Sequence, residues 1–286
     1  MPESSRGAVG LLYVVATPIG NSEDISTRAI RVLRDADFVA CEDTRRTGRL
    51  LAMHAIRTPM ISYFEHNELR RIPELVTRLS SGARIALVTD AGTPAISDPG
   101  FRLVRSAIDA GIEVIAIPGP CAAITALTVA GLPTDRFVFE GFLPARTGER
   151  EGVIARLAKE ERTLIIYEAA RRLPRLLTEL IGPFGRNRRL AVVREATKIH
   201  EEVVRGTLEE LAEIFANQEV LGEVTLVIEG CHNQVSHAST LPIAQSRVVE
   251  ILRDAGMSIK QAAATASRIT GASRRDLYQD ALKRSQ

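Results

Sequence analysis

The chain has 286 residues, of which 45% are hydrophobic and 25% charged, and its 37 basic and 35 acidic residues leave a net charge of +2. This composition is typical of globular proteins and excludes global disorder, collagen and a coiled coil. Three isolated cysteines, Cys41, Cys121 and Cys231, exclude a disulfide framework and a zinc ribbon and predict a reducing, cytoplasmic location. Residues 1–10 lack the form of a signal peptide and predict a disordered N-terminal tail.

One stretch is long enough to span a bilayer. Residues 114–134 are uncharged and rich in apolar side chains, but prolines and glycines interrupt them. We therefore predict a strand, a turn and a helix in a soluble core, and no membrane partner.

The first half of the chain alternates short β-branched runs with amphipathic segments. This alternation with short connections predicts an N-terminal α/β domain over residues 11–134 with a largely parallel sheet. The predicted strands are 11–16, 38–41, 60–63, 84–89 and 113–117. The predicted helices are 26–36, 69–79, 101–110 and an alanine- and threonine-rich helix after Pro120.

The same alternation continues in a second predicted α/β domain over residues 135–230. Its predicted strands are 137–142, 162–167, 189–194 and 223–229, and its predicted helices are 149–160, 171–181 and 207–215. Residues 231–246 carry no charged side chain and predict a linker. Three short helices, 247–255, 258–270 and 273–284, then form a small C-terminal helical module over residues 247–286.

Charge is distributed unevenly along the second half. Residues 171–205 contain nine basic and four acidic side chains, whereas residues 206–239 contain six acidic side chains and no basic one. Residues 240–286 contain eight basic and four acidic side chains. Two separate basic regions favour a polyanionic partner, although a solvated face explains them equally well.

The glycine spacing excludes several nucleotide-binding classes. No two glycines are separated by a single residue, so the GxGxxG dinucleotide fingerprint and the glycine-rich loop of common methyltransferases are both absent. No GxxxxGK[ST] motif occurs, which argues against a P-loop NTPase.

Unusual turns follow four of the predicted strands. They are 17–21, 89–100, 117–122 and the position of Glu168. Ligands bind beyond the carboxyl ends of parallel strands, and small residues there allow close approach to the backbone. We interpret these turns as a ligand site, in which Asp90 and Asp98 meet a ribose hydroxyl or a cation. Each turn alone is also compatible with ordinary turn chemistry.

Polar clusters at 42–46, 63–68 and 194–202 also follow predicted strands. His66 lies between acidic side chains, which suggests acid–base chemistry or a ribose contact. A hydrogen-bonded loop histidine and a solvated connection are the alternative readings.

These segments together resemble one family. VVATPIGNSEDIS, CEDTRRTGRLL, FEHNE, LVTDAGTPAISDPG, IPGPCAAITAL and VREATKIHEE, in this order, are similar to the ribosomal RNA small subunit methyltransferase I family of the tetrapyrrole (corrin/porphyrin) methylase superfamily. The resemblance covers about residues 11–230, and the C-terminal helices resemble the small C-terminal module of that family.

The resemblance implies two α/β domains with S-adenosyl-L-methionine bound in the cleft between them. It implies 2′-O-methylation of a cytidine ribose in the decoding region of 16S ribosomal RNA within the small ribosomal subunit. It also implies a homodimer. DNA is excluded as a substrate because it lacks the 2′-hydroxyl.

Mapped onto this chain, the resemblance assigns residues to three roles. The cofactor-binding residues are Pro18, Gly20, Asn21, Asp90, Gly92, Thr93, Pro94, Pro118, Gly119, Cys121, Ala122, Tyr167 and Glu168. The candidates for a catalytic base or a polarising cation are Glu195, Lys198, His66 and Glu68. The RNA-binding candidates are Asp43, Arg45, Arg194, Arg274 and Arg275. No metal site is expected, because the five histidines are scattered.

Two alternatives stay open. One is a methyltransferase that acts on a tetrapyrrole or another small molecule, against which the polar clusters and the basic C-terminal module argue. The other is a non-catalytic RNA-binding assembly factor, which would show decayed turns after the strands.

Overall fold

The structure is a computed structural model that describes residues 10–218, 220, 222–231 and 240–283. The chain divides into two compact units, Met1–Cys231 and His232–Gln286. Most of the predicted tail and residues 232–239 of the predicted linker lie outside the described residues. Gly10 belongs to the folded unit rather than to the tail, because its N–H donates to the Leu79 carbonyl oxygen at 3.1 Å.

The first sheet contains five parallel strands in the order β3-β2-β4-β1-β5. The strands are β1 (Leu11–Val15), β2 (Phe38–Cys41), β3 (Met60–Ser62), β4 (Arg84–Leu87) and β5 (Glu113–Ile117). Their parallel direction confirms the prediction for this half. The strands are short and apolar because hydrophobic clusters cover both faces of the sheet.

One α-helix follows each of these strands along the chain. The helices are α1 (Thr27–Asp35), α2 (Thr44–Met53), α3 (Glu68–Ser80), α4 (Phe101–Asp109) and α5 (Ala122–Ala130). The sequence did not predict α2, whose buried residues are only Thr47 and Leu51, a stripe too short to show a helical period. Asp43 caps α2 by accepting a hydrogen bond from the Arg45 N–H at 2.8 Å.

The second sheet is mixed, in the order β6-β7-β10-β8-β9. Only the β6–β7 pair is parallel. Its strands are β6 (Phe137–Phe142), β7 (Thr163–Ala169), β8 (Arg189–Arg194), β9 (Glu202–Thr207) and β10 (Glu223–Ile228). Its helices are α6 (Thr147–Leu157), α7 (Leu173–Phe184) and α8 (Leu208–Phe215), which pack on one face. β9 was not predicted as a strand, because it is a half-exposed edge of the sheet.

Helix α5 covers the opposite face of this second sheet. Its buried residues Ala123, Ala126 and Ala130 pack against a cluster that includes Ile165 and Val227. Alanine side chains allow the helix to approach the strands closely. The two sheets are therefore joined through an apolar contact within one unit.

The second unit contains helices α9 (Thr240–Asp254), α10 (Ile259–Thr270) and α11 (Arg274–Lys283) around a small apolar cluster. Ser258 and Gln261 form a capping box at the start of α10. The C-terminal boundary predicted for the linker 231–246 is wrong, because α9 begins at Thr240 rather than at residue 247. Pro242 falls in the first turn of α9, where no intrahelical N–H bond is required, so the helix accommodates it.

Candidate functional site

A cleft of about 380 Å³ opens where the carboxyl ends of the first sheet meet the second sheet. This is the edge at which parallel sheets bind ligands. Residues from the turn after β1, the loop after β4, the start of α5 and strands β6, β7 and β10 line the cleft. They are Ile19, Arg46, Asp90, Ala91, Gly92, Thr93, Ile96, Ser97, Asp98, Cys121, Ala122, Phe142, Tyr167, Glu168, Ala169, Gly222, Glu223, Val224 and Thr225.

Backbone hydrogen bonds hold the turns of the cleft together. Thr17 and Gly92 exchange two N–H···O bonds, of 2.9 and 3.1 Å. The Thr17 hydroxyl donates to the Thr89 carbonyl at 3.1 Å, and the Thr93 hydroxyl donates to the Pro120 carbonyl at 3.0 Å. Gly92 has φ of +89°, a conformation that favours glycine. The ends of β1, β4 and β5 therefore form one connected wall.

Tyr167 closes the cleft on the side of the second sheet. Its hydroxyl oxygen accepts a hydrogen bond from the Ala123 N–H at 2.9 Å. Its ring packs edge-on against Phe139 at 4.9 Å between centroids. Burial, and next the neighbouring Cys121, raises the pKa of Tyr167 far above its usual range, so the hydroxyl stays protonated. Tyr167 thus anchors the first turn of α5 to β7.

Glu168 contributes backbone to the cleft, but its carboxylate is turned away. Successive side chains of a strand point to opposite faces, so Glu168 faces away from Tyr167. Its side chain is 0% exposed and forms ion pairs with Arg150 at 2.9 Å and Arg172 at 2.7 Å. Because this carboxylate is committed to two arginines, the prediction that Glu168 contacts the cofactor depends on the rest of the residue, which lines the cleft.

Two carboxylates that line the cleft, Asp90 and Asp98, have a third, Glu42, as their neighbour behind the lining. Burial, and then the neighbouring Asp98 and Asp90, raises the pKa of Glu42 to about 7. Burial likewise raises the pKa of Asp98 to about 6. Asp90 accepts a hydrogen bond from the Asp43 N–H at 3.1 Å and lies 3.5 Å from the Arg46 guanidinium. The carboxyl groups of Asp98 and Glu42 therefore each gain or lose a proton close to neutral pH.

The predicted pair Glu195 and Lys198 lies beside the cleft in a connected ion network. The Lys198 ammonium lies 3.0 Å from the Glu195 carboxylate and 3.1 Å from that of Glu223. Burial lowers the pKa of Lys198, but its hydrogen bonds to both carboxylates outweigh burial and leave the pKa raised. Burial raises the pKa of Glu195, but the hydrogen bonds from Lys198 and from the Glu223 N–H outweigh it and leave the pKa lowered. Both groups stay charged at neutral pH, which suits electrostatic stabilisation rather than proton transfer.

This network belongs to a strained loop against the first sheet. Glu195 and Thr197 have φ of +50° and +65°, a left-handed conformation that is costly for residues other than glycine. The Thr197 hydroxyl accepts a hydrogen bond from the Asn21 N–H at 3.1 Å. A Cβ at Gly20 would clash with the Lys198 side chain. The loop therefore rests directly on the turn after β1.

The other two candidates, His66 and Glu68, lie away from this cleft. His66 is exposed, and its ring packs edge-on against Phe64. Glu68 accepts a hydrogen bond from the Tyr63 hydroxyl at 3.1 Å and pairs with Arg102 at 2.8 Å. Glu68 lines a second pocket of about 370 Å³, which shares Ser97 and Asp98 with the cleft.

The structure divides the predicted cofactor residues into two groups. Those that line the cleft are Asp90, Gly92, Thr93, Cys121, Ala122, Tyr167 and Glu168. Those in the adjoining turns that do not line it are Pro18, Gly20, Asn21, Pro94, Pro118 and Gly119. Gly119 supports the wall, because a Cβ there would lie 2.9 Å from the Ala16 Cβ.

Several lining residues were missed by the sequence reasoning. Ser97 lies within the turn 89–100 that was singled out but was not assigned a role, whereas Asp98 of the same turn was placed at the ligand site and does line the cleft. Gly222 and Glu223 carry no local signal. They reach the cleft because β10 runs antiparallel to β7 and brings its first residues to the end of that strand.

The predicted RNA contacts are spread over both units. Arg45 is exposed and pairs with Asp43 at 2.8 Å, whereas its neighbour Arg46 reaches the cleft. Arg194 pairs with Glu202 at 2.8 Å. Arg274 and Arg275 are exposed at the start of α11.

Neither a membrane span nor a metal cluster is found in the part of the chain that the structure describes. No helix among these residues is both long and apolar enough to cross a bilayer. No group of three or more histidine, cysteine, aspartate or glutamate side chains among them is arranged to hold a metal ion.

Comparison with known proteins identifies the family. Residues 11–212 match the Tetrapyrrole (Corrin/Porphyrin) Methylases, and residues 242–285 match the RsmI C-terminal HTH domain. Ribosomal RNA small subunit methyltransferase I of Synechocystis sp. is 45% identical over 96% of this chain and 98% of its own length. The protein of that name from Xylella fastidiosa is 46% identical over 94% of this chain and 98% of its own length.

A solved structure shares the fold at low sequence identity. Uroporphyrin-III C-methyl transferase from Thermus thermophilus, complexed with S-adenyl homocysteine, superposes with a TM-score of 0.55 at 20% identity. The superposition covers 76% of this chain and 97% of that one. The two relatives match this chain over nearly its full length, and its cleft lies at the edge of a parallel sheet. The chain therefore belongs to the ribosomal RNA small subunit methyltransferase I family of the tetrapyrrole methylases.

Proposed function

We propose that the protein transfers a methyl group from S-adenosyl-L-methionine to the ribose 2′-oxygen of a cytidine in the decoding region of 16S ribosomal RNA. The observation that carries the proposal is the cleft at the carboxyl edge of the parallel sheet, in a chain of a ribosomal RNA methyltransferase family. The proposal includes a homodimer that acts on small ribosomal subunits in the cytoplasm and not on DNA.

The residues of the cleft are suited to S-adenosyl-L-methionine. The volume of about 380 Å³ lies within the range of small-ligand sites, roughly 300–1,000 Å³. The left-handed turn at Gly92 exposes backbone, and the carboxylates of Asp90, Asp98 and Glu42 favour a positively charged ligand. The bound cofactor would supply the methyl group as an electrophile on its sulfonium. The turns 90–93 and 121–122, with Tyr167, would hold it.

The chain must also orient the ribose and accept its proton. A 2′-hydroxyl is a weak nucleophile, so a nearby base and correct positioning assist the reaction. Asp98 suits the base, because its carboxylate borders the cleft and has a pKa of about 6. Lys198, held charged by Glu195, suits the stabilisation of negative charge. Glu68, which lines the second pocket, and His66, two residues before it, are proposed to act on the substrate side.

The RNA backbone is proposed to bind through arginines outside the cleft. Phosphate contacts position a nucleic acid and rely on cationic side chains. Arg45, Arg194, Arg274 and Arg275 have this role in the proposal, while Asp43 orients Arg45. The second unit, whose helix α11 begins with two exposed arginines, would increase the affinity for the subunit.

The test is methyl transfer from labelled S-adenosyl-L-methionine to small subunits, naked ribosomal RNA and a tetrapyrrole. The subunits come from cells that lack the protein, so that their target is unmodified. We expect label in the RNA, at a nucleotide that becomes resistant to alkaline cleavage. Label in the tetrapyrrole alone would replace the proposal by small-molecule methylation. Absence of transfer with the cofactor bound would favour an RNA-binding assembly factor.

A further inference from the structure

We propose that the second pocket receives the base of the target nucleotide and selects cytosine. This inference rests on the proposed function and concerns the substrate side of the same site. The pocket is about 370 Å³ in volume and lies between the end of β3 and the start of α4. Its lining residues are Glu65, Glu68, Ala95, Ser97, Asp98, Pro99, Gly100, Phe101 and Arg102.

The position of the pocket suits a base whose ribose is the acceptor. Ser97 and Asp98 line both the pocket and the cleft, so they form a wall common to the two. The base and the 2′-hydroxyl are attached to adjacent carbons of the ribose. A base in the pocket therefore brings its 2′-oxygen to this wall, next to the Asp98 carboxylate. Ala95 and Ser97 have φ of +70° and +61°, strain of the kind that functional loops retain.

Phe101 supplies an apolar face at the pocket. It is the first residue of α4 and is 69% exposed, so its ring is not used by the core. Proteins that bind unpaired bases stack them on aromatic side chains of this kind. An unpaired base is required here, because the ribose of a stacked duplex cannot enter a cleft between two sheets.

The polar groups of the pocket match the pairing edge of cytosine. Glu68 is engaged by the Tyr63 hydroxyl and by the Arg102 Nε, whereas Glu65 makes no hydrogen bond or ion pair within the described residues. Glu65 can therefore accept from the cytosine N4 amino group. The terminal amino groups of Arg102 can donate to N3 or O2 of the same base. Uracil presents the opposite pattern, with an acceptor at position 4 and a donor at N3.

The charge of the pocket argues against a phosphate as its occupant. Three carboxylates, Glu65, Glu68 and Asp98, line it together with one arginine, and that arginine is paired with Glu68. Phosphate is repelled by such a set, whereas a neutral base is not. The occupant is thus a nucleobase rather than the RNA backbone.

The test measures base selection and affinity separately. Steady-state methylation is followed with small subunits that carry either the natural cytidine or uridine at the modified position. For Glu65→Gln we expect the preference for cytidine over uridine to fall roughly tenfold or more, because an amide can both donate and accept. For Phe101→Ala we expect KM to rise roughly tenfold or more, and Phe101→Tyr should restore it.

The controls separate this inference from the proposed function. Ile108→Ala removes an exposed apolar side chain from the other end of α4, 55% exposed, and should change neither quantity. Binding of S-adenosyl-L-methionine should be unchanged in every variant, which shows that the fold and the cleft are intact. A wild-type protein that methylates RNA, with base preference unchanged in Glu65→Gln and KM unchanged in Phe101→Ala, overturns the inference alone. A wild-type protein that methylates no RNA overturns the proposed function and this inference with it.

Discussion

Replacing Glu42 by glutamine should stabilise the protein in a pH-dependent manner. Glu42 follows β2 and neighbours Asp98 and Asp90, and burial followed by these two carboxylates raises its pKa from 4.5 to about 7. The folded state therefore binds this proton more tightly than the unfolded state does. The stability that this proton provides is fully present below pH 4.5 and is lost as the pH rises through 7. Above pH 7 the ionised Glu42 opposes folding.

The magnitude follows from the size of the pKa change. A rise from 4.5 to about 7 corresponds to roughly 3 kcal/mol, at about 1.4 kcal/mol per pH unit. Glu42 is partly exposed, and solvent screening reduces this value to about 1–2 kcal/mol. For a chain of this size we expect Glu42→Gln to raise Tm at pH 8 by roughly 2–6 °C, with the gain falling away towards pH 4.

Calorimetric unfolding without ligand, at several pH values between 4 and 8, measures this gain. Glu151→Gln is the matched control, because Glu151 is an exposed glutamate within α6 and its substitution should leave Tm nearly unchanged at every pH. A gain in Glu42→Gln that is equal at pH 4 and pH 8 would refute the electrostatic reasoning. A loss of stability at pH 8 would refute it as well, since the three carboxylates would then not repel one another.

Two further predictions concern activity and cofactor binding. If Asp98 accepts the ribose proton, kcat/KM should rise with pH up to about 6 and then level off, and Asp98→Asn should abolish methylation while cofactor binding measured by calorimetry persists. Gly92→Ala should weaken cofactor binding, whereas Gly111→Ala, at a similar φ but with no atom within 4 Å of the added Cβ, should carry the same backbone strain and bind normally. Equal affinity in the two glycine variants would show that the turn at Gly92 does not contact the cofactor.

The carboxyl edge of the first sheet could be predicted because its determinants are local. Each parallel strand is an apolar run followed by a turn of glycine, proline and polar residues, and parallel strands align these turns at one edge. Asp90 and Gly92 were placed at the cleft on this argument. The position of Glu168 was predictable too, since its neighbour Tyr167 cannot share the same face of β7.

The contribution of the second sheet could not be read from the sequence. Strand pairing between β7 and β10 aligns Thr225 with Tyr167 and Glu223 with Ala169, although these partners are more than fifty residues apart. Nothing in the local pattern around Gly222 indicates that partner. Helix α2 and strand β9 were missed for a related reason, because each buries too few side chains to show a clear period.

The negative charge around the cleft explains how one site could bind both a positively charged methyl donor and a negatively charged RNA as the methyl acceptor. Asp90 and Asp98 line the cleft with Glu42 beside them, and the Arg46 guanidinium, 3.5 Å from Asp90, partly offsets their charge. A positive sulfonium is attracted by such a lining, whereas RNA phosphates are repelled from it. A nucleotide can therefore enter only with its uncharged part, the base and the ribose, leading. Under the proposed function, the same repulsion between carboxylates that destabilises the folded protein would direct the ribose 2′-hydroxyl towards Asp98.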